Sequence, residues 1–407
     1  MKRAAAQHAQ RNTTLAGFRC LRCEAQHPIA DYDLGCPRCA REGYPANVAA
    51  YYNAPPGALQ LPYRAAVPRG DGGAGENGLG ENGLSEGGTP CIDLPGLADA
   101  IGVGRLSAKL EWCNPTGSHK DRMSAQLVQR ACDTQRGAIV AASSGNAGLS
   151  IASYAARFGI PAEIVVTEAL PEAFREAIAA TGATLTVAVT SLARWDILDE
   201  RVRQGAFAAT NYARPAVGTN AFGVEGYKML AAEIAAGAAM PDIVVAPTAR
   251  GDLISGLYLG FGELGGSMPR LVAAEPFPRL SKALAGADYR GLFEGSTAQF
   301  SIAGATTTFQ ALHAVRETKG CAVPVSDRLV AAAARDLARY GLHAEGAAAA
   351  ALVAATELAS GGDLRGRHVL LVLTGSSFRE PRASTNLKTA IKPTGRDSHA
   401  DHEKALL

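Results

Sequence analysis

The chain has 407 residues, 47% hydrophobic and 19% charged, with a formal net charge of +2. That length holds two or three domains and a large core, and the composition is that of an ordinary globular protein. The near-neutral balance gives no bulk electrostatic case for a nucleic-acid or membrane partner, and no apolar run reaches the length of a membrane span.

In chain order, Met1–Thr14 is basic and polar without an apolar signal region, so a cytoplasmic protein is expected. Next come Cys20, Cys23, Cys36 and Cys39, two Cys-x2-Cys pairs with twelve residues between them. This is the spacing of a zinc ribbon, and four thiolates make a closed tetrahedral site, structural rather than catalytic, for Zn2+. Cys91, Cys113, Cys132 and Cys321 are expected as small buried hydrophobes. The knuckle spans about 17–45. A Gly-rich linker is expected over 46–88, with the near-repeat Gly-Glu-Asn-Gly-Leu in its second half. The body is expected over 89–378, and 382–407 reads as a polar tail.

Within the body, short apolar runs predict buried strands at Ala138–Ala142, Glu163–Thr167, Thr184–Val189, Asp242–Ala246, Leu271–Glu275 and His368–Leu373. Alanine-rich stretches predict helices, among them Ala147–Phe158, Gly226–Ala236 and Glu345–Leu358. The alternation points to an α/β fold with mainly parallel sheets covered on both faces. Ligands of such sheets bind beyond the carboxyl ends of the strands.

Four turns carry chemistry. Asn114 to Arg122 is turn-rich and enters a helix, with Thr116 and Ser118 as candidate caps. Lys120 falls just inside that helix, where the positive helix end favours the free amine that a Schiff base requires. A solvated surface lysine is the plain alternative. The run Ser143-Ser144-Gly145-Asn146-Ala147-Gly148 follows a strand; its N–H groups and hydroxyls suit a carboxylate or phosphate, or merely cap the next helix. Pro247-Thr248-Ala249-Arg250-Gly251-Asp252 is a second anion-binding candidate, in which Arg250 offers a guanidinium. The last strand ends at Thr374-Gly375-Ser376-Ser377.

The order of these segments resembles the threonine synthase branch of fold-type II pyridoxal-phosphate enzymes. The resemblance rests on Glu86-Gly87-Gly88-Thr89-Pro90, Asn114 to Arg122, Ser143 to Gly148, Glu225-Gly226, Glu345-Gly346-Ala347 and Leu373-Thr374-Gly375. It implies two doubly wound three-layer α/β domains of the tryptophan synthase beta-like fold, the smaller at about 125–220, with a small N-terminal zinc-ribbon-like module. It implies a pyridoxal 5'-phosphate-dependent lyase, a homodimer, acting by elimination or replacement on a small amino acid, such as O-phosphohomoserine to threonine. By the same resemblance Lys120 carries the cofactor and moves the α-proton, and Asn146 bonds the cofactor's ring hydroxyl. Ser143, Ser144, Gly145, Asn146, Ala147 and Asn220 hold the substrate. Thr248, Ala249, Arg250, Gly251 and Asp252 cradle the cofactor phosphate. Thr374 faces the pyridine nitrogen, where a neutral hydroxyl weakens the electron sink and disfavours transamination.

The sequence departs from the family at four places, one being the absence from Thr167–Arg175 of a lysine often seen there. Only Gly251 survives of the family's Gly-Asn-x-Gly-Asn turn, and Asp252 is expected to face away from a phosphate or to pair with Arg250. His119 replaces a phenylalanine and reads as a packing replacement, with stacking or hydrogen bonding near the cofactor phosphate as the open alternative. The arginine that the family uses for a substrate phosphate is Gly223 here. Losing such a contact costs about 2–3 kcal/mol, with Arg175, Lys228 and Arg250 as candidates to compensate. Cysteate-type and diaminopropionate-type β-replacement and serine or threonine ammonia-lyase chemistry stay open, as does a cofactor-binding relative without turnover.

Overall fold

The computed structural model describes residues 10–63, 84–143, 145–362 and 364–380. Ser144, most of the Gly-rich stretch and the tail expected over 382–407 lie outside the described residues. All six predicted strands form, with ends within one residue of the expectation.

The largest sheet has six strands in the order Cys321–Pro324, Arg270–Glu275, Ile243–Pro247, His368–Leu373, Arg105–Leu110 and Cys91–Asp93. It is parallel apart from the antiparallel edge pair Cys91–Asp93 and Arg105–Leu110. Successive residues of a strand point to opposite faces, so each strand feeds two cores. Val244, Ala246, Leu271, Ala273, Leu370 and Val372 pack under helices Lys228–Ala235, Asp252–Leu264 and Phe309–Glu317. Ile243, Val245, Val272, Val369 and Leu371 pack under Pro95–Ile101, Asp327–Arg339 and Gly346–Ser360. A second, wholly parallel sheet of four strands runs Thr184–Ala188, Ala162–Thr167, Ile139–Ala142, Phe207–Ala208. Two covered, mainly parallel sheets make the fold doubly wound α/β, as expected.

Several elements were hidden in the sequence. Arg105–Leu110 pairs along its whole length with His368–Leu373, yet carries Arg105 and Lys109. Lys109 is buried because its ammonium meets Glu233 at 2.7 Å. The helix predicted over Gly226–Ala236 is two helices, Ala221–Gly226 and Lys228–Ala235, separated at Tyr227. Cys91 and Cys113 are exposed, against the expectation of burial, and Cys132 and Cys321 are half-buried.

The stretch expected as a linker over 46–88 begins instead with strand Val48–Tyr52. That strand and Gln26–His27 flank Leu15–Cys20 in a three-stranded antiparallel sheet. Leu15, Phe18, Val48 and Tyr63 of this module share a core with Ala221 and Phe222, so it is docked on the body.

Candidate functional site

A pocket opens between the two parallel sheets, beyond the carboxyl ends of Ile139–Ala142, Ile243–Pro247 and His368–Leu373, where this architecture places ligands. Its lining includes Lys120, Ser143, Gly145, Asn146, Ala147, all five residues from Thr248 to Asp252, and Thr374. Strands far apart in the sequence thus deliver the expected segments to one cavity.

Lys120 is the first residue of helix Lys120–Asp133. Its ammonium donates to the Tyr227 hydroxyl at 3.2 Å. Burial pulls its pKa down to about 8; nearby Asp252 and Glu345 act against that pull and Arg250 adds to it. Desolvation is the largest cause of that pull toward the free amine. Of the two expected caps, the Ser118 hydroxyl accepts the Lys120 N–H at 3.4 Å, while Thr116 acts differently. The Thr116 N–H and hydroxyl both donate to the Asp121 carboxylate, at 2.6 and 2.5 Å, and the helix N-cap is His119. The His119 ring stacks on Tyr227 with centroids 5.6 Å apart, and its Nδ1 lies 3.2 Å from the Thr374 carbonyl. Burial, then the charge of Lys120, holds the His119 pKa far below its ordinary value, so the ring is neutral.

In the loop after Ile139–Ala142, the Ser143 hydroxyl accepts from the N–H groups of Gly145 and Gly148, at 3.2 and 2.7 Å. The N-cap residue of helix Asn146–Phe158 is Gly145, and the Ser143 hydroxyl takes up the N–H of Gly148 in its first turn. Asn146 Nδ2 donates to Glu345 Oε2 at 2.9 Å. Burial, with Glu380 nearby, pushes the Glu345 carboxyl up to about 7. Glu345 also lines the pocket, a position the sequence matched as a motif without assigning a role.

The turn Thr248–Asp252 leads into helix Asp252–Leu264. Gly251 has φ +93°, and a Cβ there would lie 2.2 Å from that of Ala311, so the turn tolerates no side chain. Arg250 keeps its guanidinium in the pocket; its Nε is buried and has no hydrogen-bond partner. Asp252 does turn away from the turn, as one of the two expected arrangements had it, but not onto Arg250. Its carboxylate accepts from the Thr219 N–H and hydroxyl and from Gln310 Nε2. Arg194 reaches the same pocket from helix Ala193–Arg203; no motif marks it, since its helix reads as a charged surface.

The structure corrects one expected substrate contact. Asn220 is not in the pocket lining: its Oδ1 caps helix Ala221–Gly226 through the Phe222 N–H, and its Nδ2 donates to Asp33 of the N-terminal module at 2.8 Å. Gly223 lies against Leu127, with 2.9 Å from a Cβ position to Leu127 Cγ, so any side chain there requires Leu127 to move. Two of the proposed compensating cations are engaged elsewhere. Lys228 is buried between Glu225 and Glu263, at 2.6 and 2.5 Å, and Arg175 meets Glu168 and Glu172.

The four expected metal ligands converge: the sulfurs of Cys20, Cys23, Cys36 and Cys39 lie within 4.8 Å of one another. Cys20 and Cys39 are 3.6 Å apart, Cys23 and Cys36 3.7 Å. Four thiolates around one tetrahedral ion stand about 3.8 Å apart, given metal–sulfur bonds of about 2.3 Å. The N–H groups of Arg22 and Cys23 point at Cys20 Sγ, and His27 Nε2 lies 3.3 Å from Cys36 Sγ. Such contacts stabilise thiolates, so the group is compatible with a metal ion.

Residues 83–375 match the family described as pyridoxal-phosphate dependent enzyme. Threonine synthase of Methanosarcina acetivorans is 29% identical over 329 residues, 77% of this chain and 80% of that protein. Threonine synthase of Halalkalibacterium halodurans is 28% identical over 332 residues, 78% of this chain and 90% of that protein. The fold is also that of a solved cysteine synthase from Entamoeba histolytica, with a TM-score of 0.63 at 19% identity over 77% of this chain and 91% of that one. No helix among the described residues is long and apolar enough to cross a membrane. The family's cofactor joins to a lysine amine and carries a phosphate. Lys120, with its lowered pKa, and the unpartnered Arg250 Nε beside a helix N-terminus fit those two groups. The chain belongs to the pyridoxal-phosphate dependent enzyme family, among its threonine synthase-like members.

Proposed function

We propose that the protein is a pyridoxal 5'-phosphate-dependent lyase that eliminates or replaces a leaving group on a phosphorylated amino acid, O-phosphohomoserine being the candidate that the resemblance to threonine synthases implies. The observation that carries the reading is Lys120: a buried amine with a pKa of about 8, in one cavity with two anion-binding turns.

Lys120 holds the cofactor, and the turn Thr248–Asp252 with Arg250 receives its phosphate. Bound there, pyridoxal phosphate supplies an electron sink for charge at the substrate α-carbon. The N–H groups at the start of helix Asn146–Phe158 bind the substrate carboxylate, with Gly145, Asn146 and Ala147 shaping that end of the cavity. Near neutral pH the Lys120 amine is partly unprotonated, which suits it to take the α-proton and return it. Thr374 offers a hydroxyl rather than a carboxylate at its end of the pocket, which keeps a ring nitrogen there neutral. The second guanidinium, Arg194, favours a substrate with an anionic leaving group. The four-cysteine group holds a structural zinc ion in this reading.

A second reading, an ammonia-lyase acting on unphosphorylated serine or threonine, is favoured by the packing of Gly223 against Leu127. Spectral titration of the cofactor with O-phosphohomoserine, phosphoserine, serine, threonine and O-acetylserine tests both. A response to phosphorylated amino acids supports the first reading; a response to serine or threonine alone overturns it.

A further inference from the structure

An acidic residue in a phosphate-binding turn needs an explanation. Asp252 opens helix Asp252–Leu264 and lines the pocket, so its carboxylate competes with any anion for the same helix end. Both of its oxygens are instead occupied. Oδ1 accepts from the Thr219 N–H at 2.9 Å and from Gln310 Nε2 at 2.6 Å, and Oδ2 accepts from the Thr219 hydroxyl at 2.9 Å.

The ring closes through the metal-binding module. Asn47 Nδ2 donates to Gln310 Oε1 at 2.9 Å and to the Thr219 carbonyl at 3.0 Å. Asn47 Oδ1 accepts the Val48 N–H at 2.9 Å, which fixes its own orientation. Asn47 and Gln310 are each 1% exposed. An amide has one donor end and one acceptor end. Because Asn47 presents a donor, Gln310 must answer with its oxygen, and its nitrogen is thereby aimed at Asp252. The packing leaves no slack: a Cβ on Gly218, at φ +123°, would lie 2.2 Å from Gln310 Nε2 and 2.9 Å from Asp252 Oδ1. Val48, which orients Asn47, is paired with the metal-ligand candidate Cys20 across the small sheet.

We propose that Asn47 and Gln310 are positioning residues that hold the Asp252 carboxylate out of the phosphate-binding turn, so that the metal-binding module sets the pocket's affinity for the cofactor's phosphate. Released from the ring, the carboxylate swings toward a dianion in a low-dielectric cavity and repels it. The inference rests on the function proposed above, since it takes pyridoxal phosphate to be the ligand.

The test is titration of cofactor-free protein with pyridoxal phosphate and, separately, with pyridoxal, which lacks the phosphate. Gln310→Ala is expected to weaken pyridoxal phosphate by about ten- to hundredfold, the range for a lost hydrogen bond to a charged group. Pyridoxal binding is expected to stay within about twofold, well under the 1.4 kcal/mol that a tenfold change represents. Adding Asp252→Asn is expected to restore the affinity for pyridoxal phosphate. Asn47→Leu is close in size and offers neither donor nor acceptor, so nothing fixes which end of the Gln310 amide faces Asp252, and it is expected to give the same phosphate-specific loss at unchanged metal content. Equal weakening of both ligands, or no recovery with Asp252→Asn, overturns the proposal and leaves the ring a packing feature. If wild-type protein binds pyridoxal phosphate and the variants bind it equally well, the inference alone falls. If wild-type protein binds none, the proposed function falls with it.

Discussion

Asn146 donates its side-chain amide to Glu345 across 2.9 Å, joining the loop after Ile139–Ala142 to the start of helix Gly346–Ser360. Burial raises the Glu345 carboxyl to about 7 from an ordinary value of 4.5. A raised acid favours the protonated state in the fold, so its contribution is complete below pH 4.5 and is lost as pH rises through 7. The stability advantage of Glu345→Gln over wild type, both cofactor-free, should therefore grow between those values and level off above 7. The shift corresponds to about 3 kcal/mol at most. Denaturant unfolding at several pH values measures it; a constant difference contradicts the assignment.

Lys120 should reload cofactor as a weak base does. With its pKa pulled by burial to about 8, the rate at which cofactor-free protein takes up pyridoxal phosphate should rise through pH 8 and then level. A rate still climbing near pH 10, as for an ordinary lysine, speaks against a desolvated amine.

Asn220 should matter for stability rather than for substrate. Asn220→Ala removes an N-cap and the bond to Asp33, and is expected to cost about 1–2 kcal/mol. The kcat and KM of the folded fraction should change less than about threefold, under 1 kcal/mol. A large rise in KM at unchanged stability returns Asn220 to the substrate site.

Arg122 is fully buried between Glu111 and Glu233, at 2.7 and 2.6 Å. Burial works against charge on Glu233, yet Arg122 and Lys109 hold its carboxyl at about 2. Arg122→Met leaves carboxylates buried without their partner and should destabilise by about 3–5 kcal/mol. Its effect should shrink as pH falls from 4.5 toward 2, where Glu233 protonates. Thermal unfolding of the two proteins across that range is the check.

Much of this site was legible because its segments are local. Strand-to-helix turns with small residues and hydroxyls show in a single stretch, and Lys120, Asn146, Arg250 and Thr374 all line the pocket they were expected to share. What stayed hidden depends on distant partners. Asn220 lies in a family-like stretch, but Asp33, far earlier in the chain, decides where its amide points. Arg105–Leu110 did not read as a buried strand because Glu233, which neutralises Lys109, is distant in sequence. Asp252 looked out of place until Thr219 and Gln310 supplied its partners. Arg194 carried no signal, since nothing local separates a charged surface helix from one that tips an arginine into a cavity.

Lys120 is the proposed attachment point of the cofactor. Borohydride reduction of the purified, cofactor-loaded protein, followed by proteolysis and mass mapping, tests it directly. A pyridoxyl-phosphate mass is expected on the peptide containing Lys120, and none on the corresponding peptide of Lys120→Ala. An adduct on Lys109, Lys228 or another lysine, or no adduct at all, would contradict it.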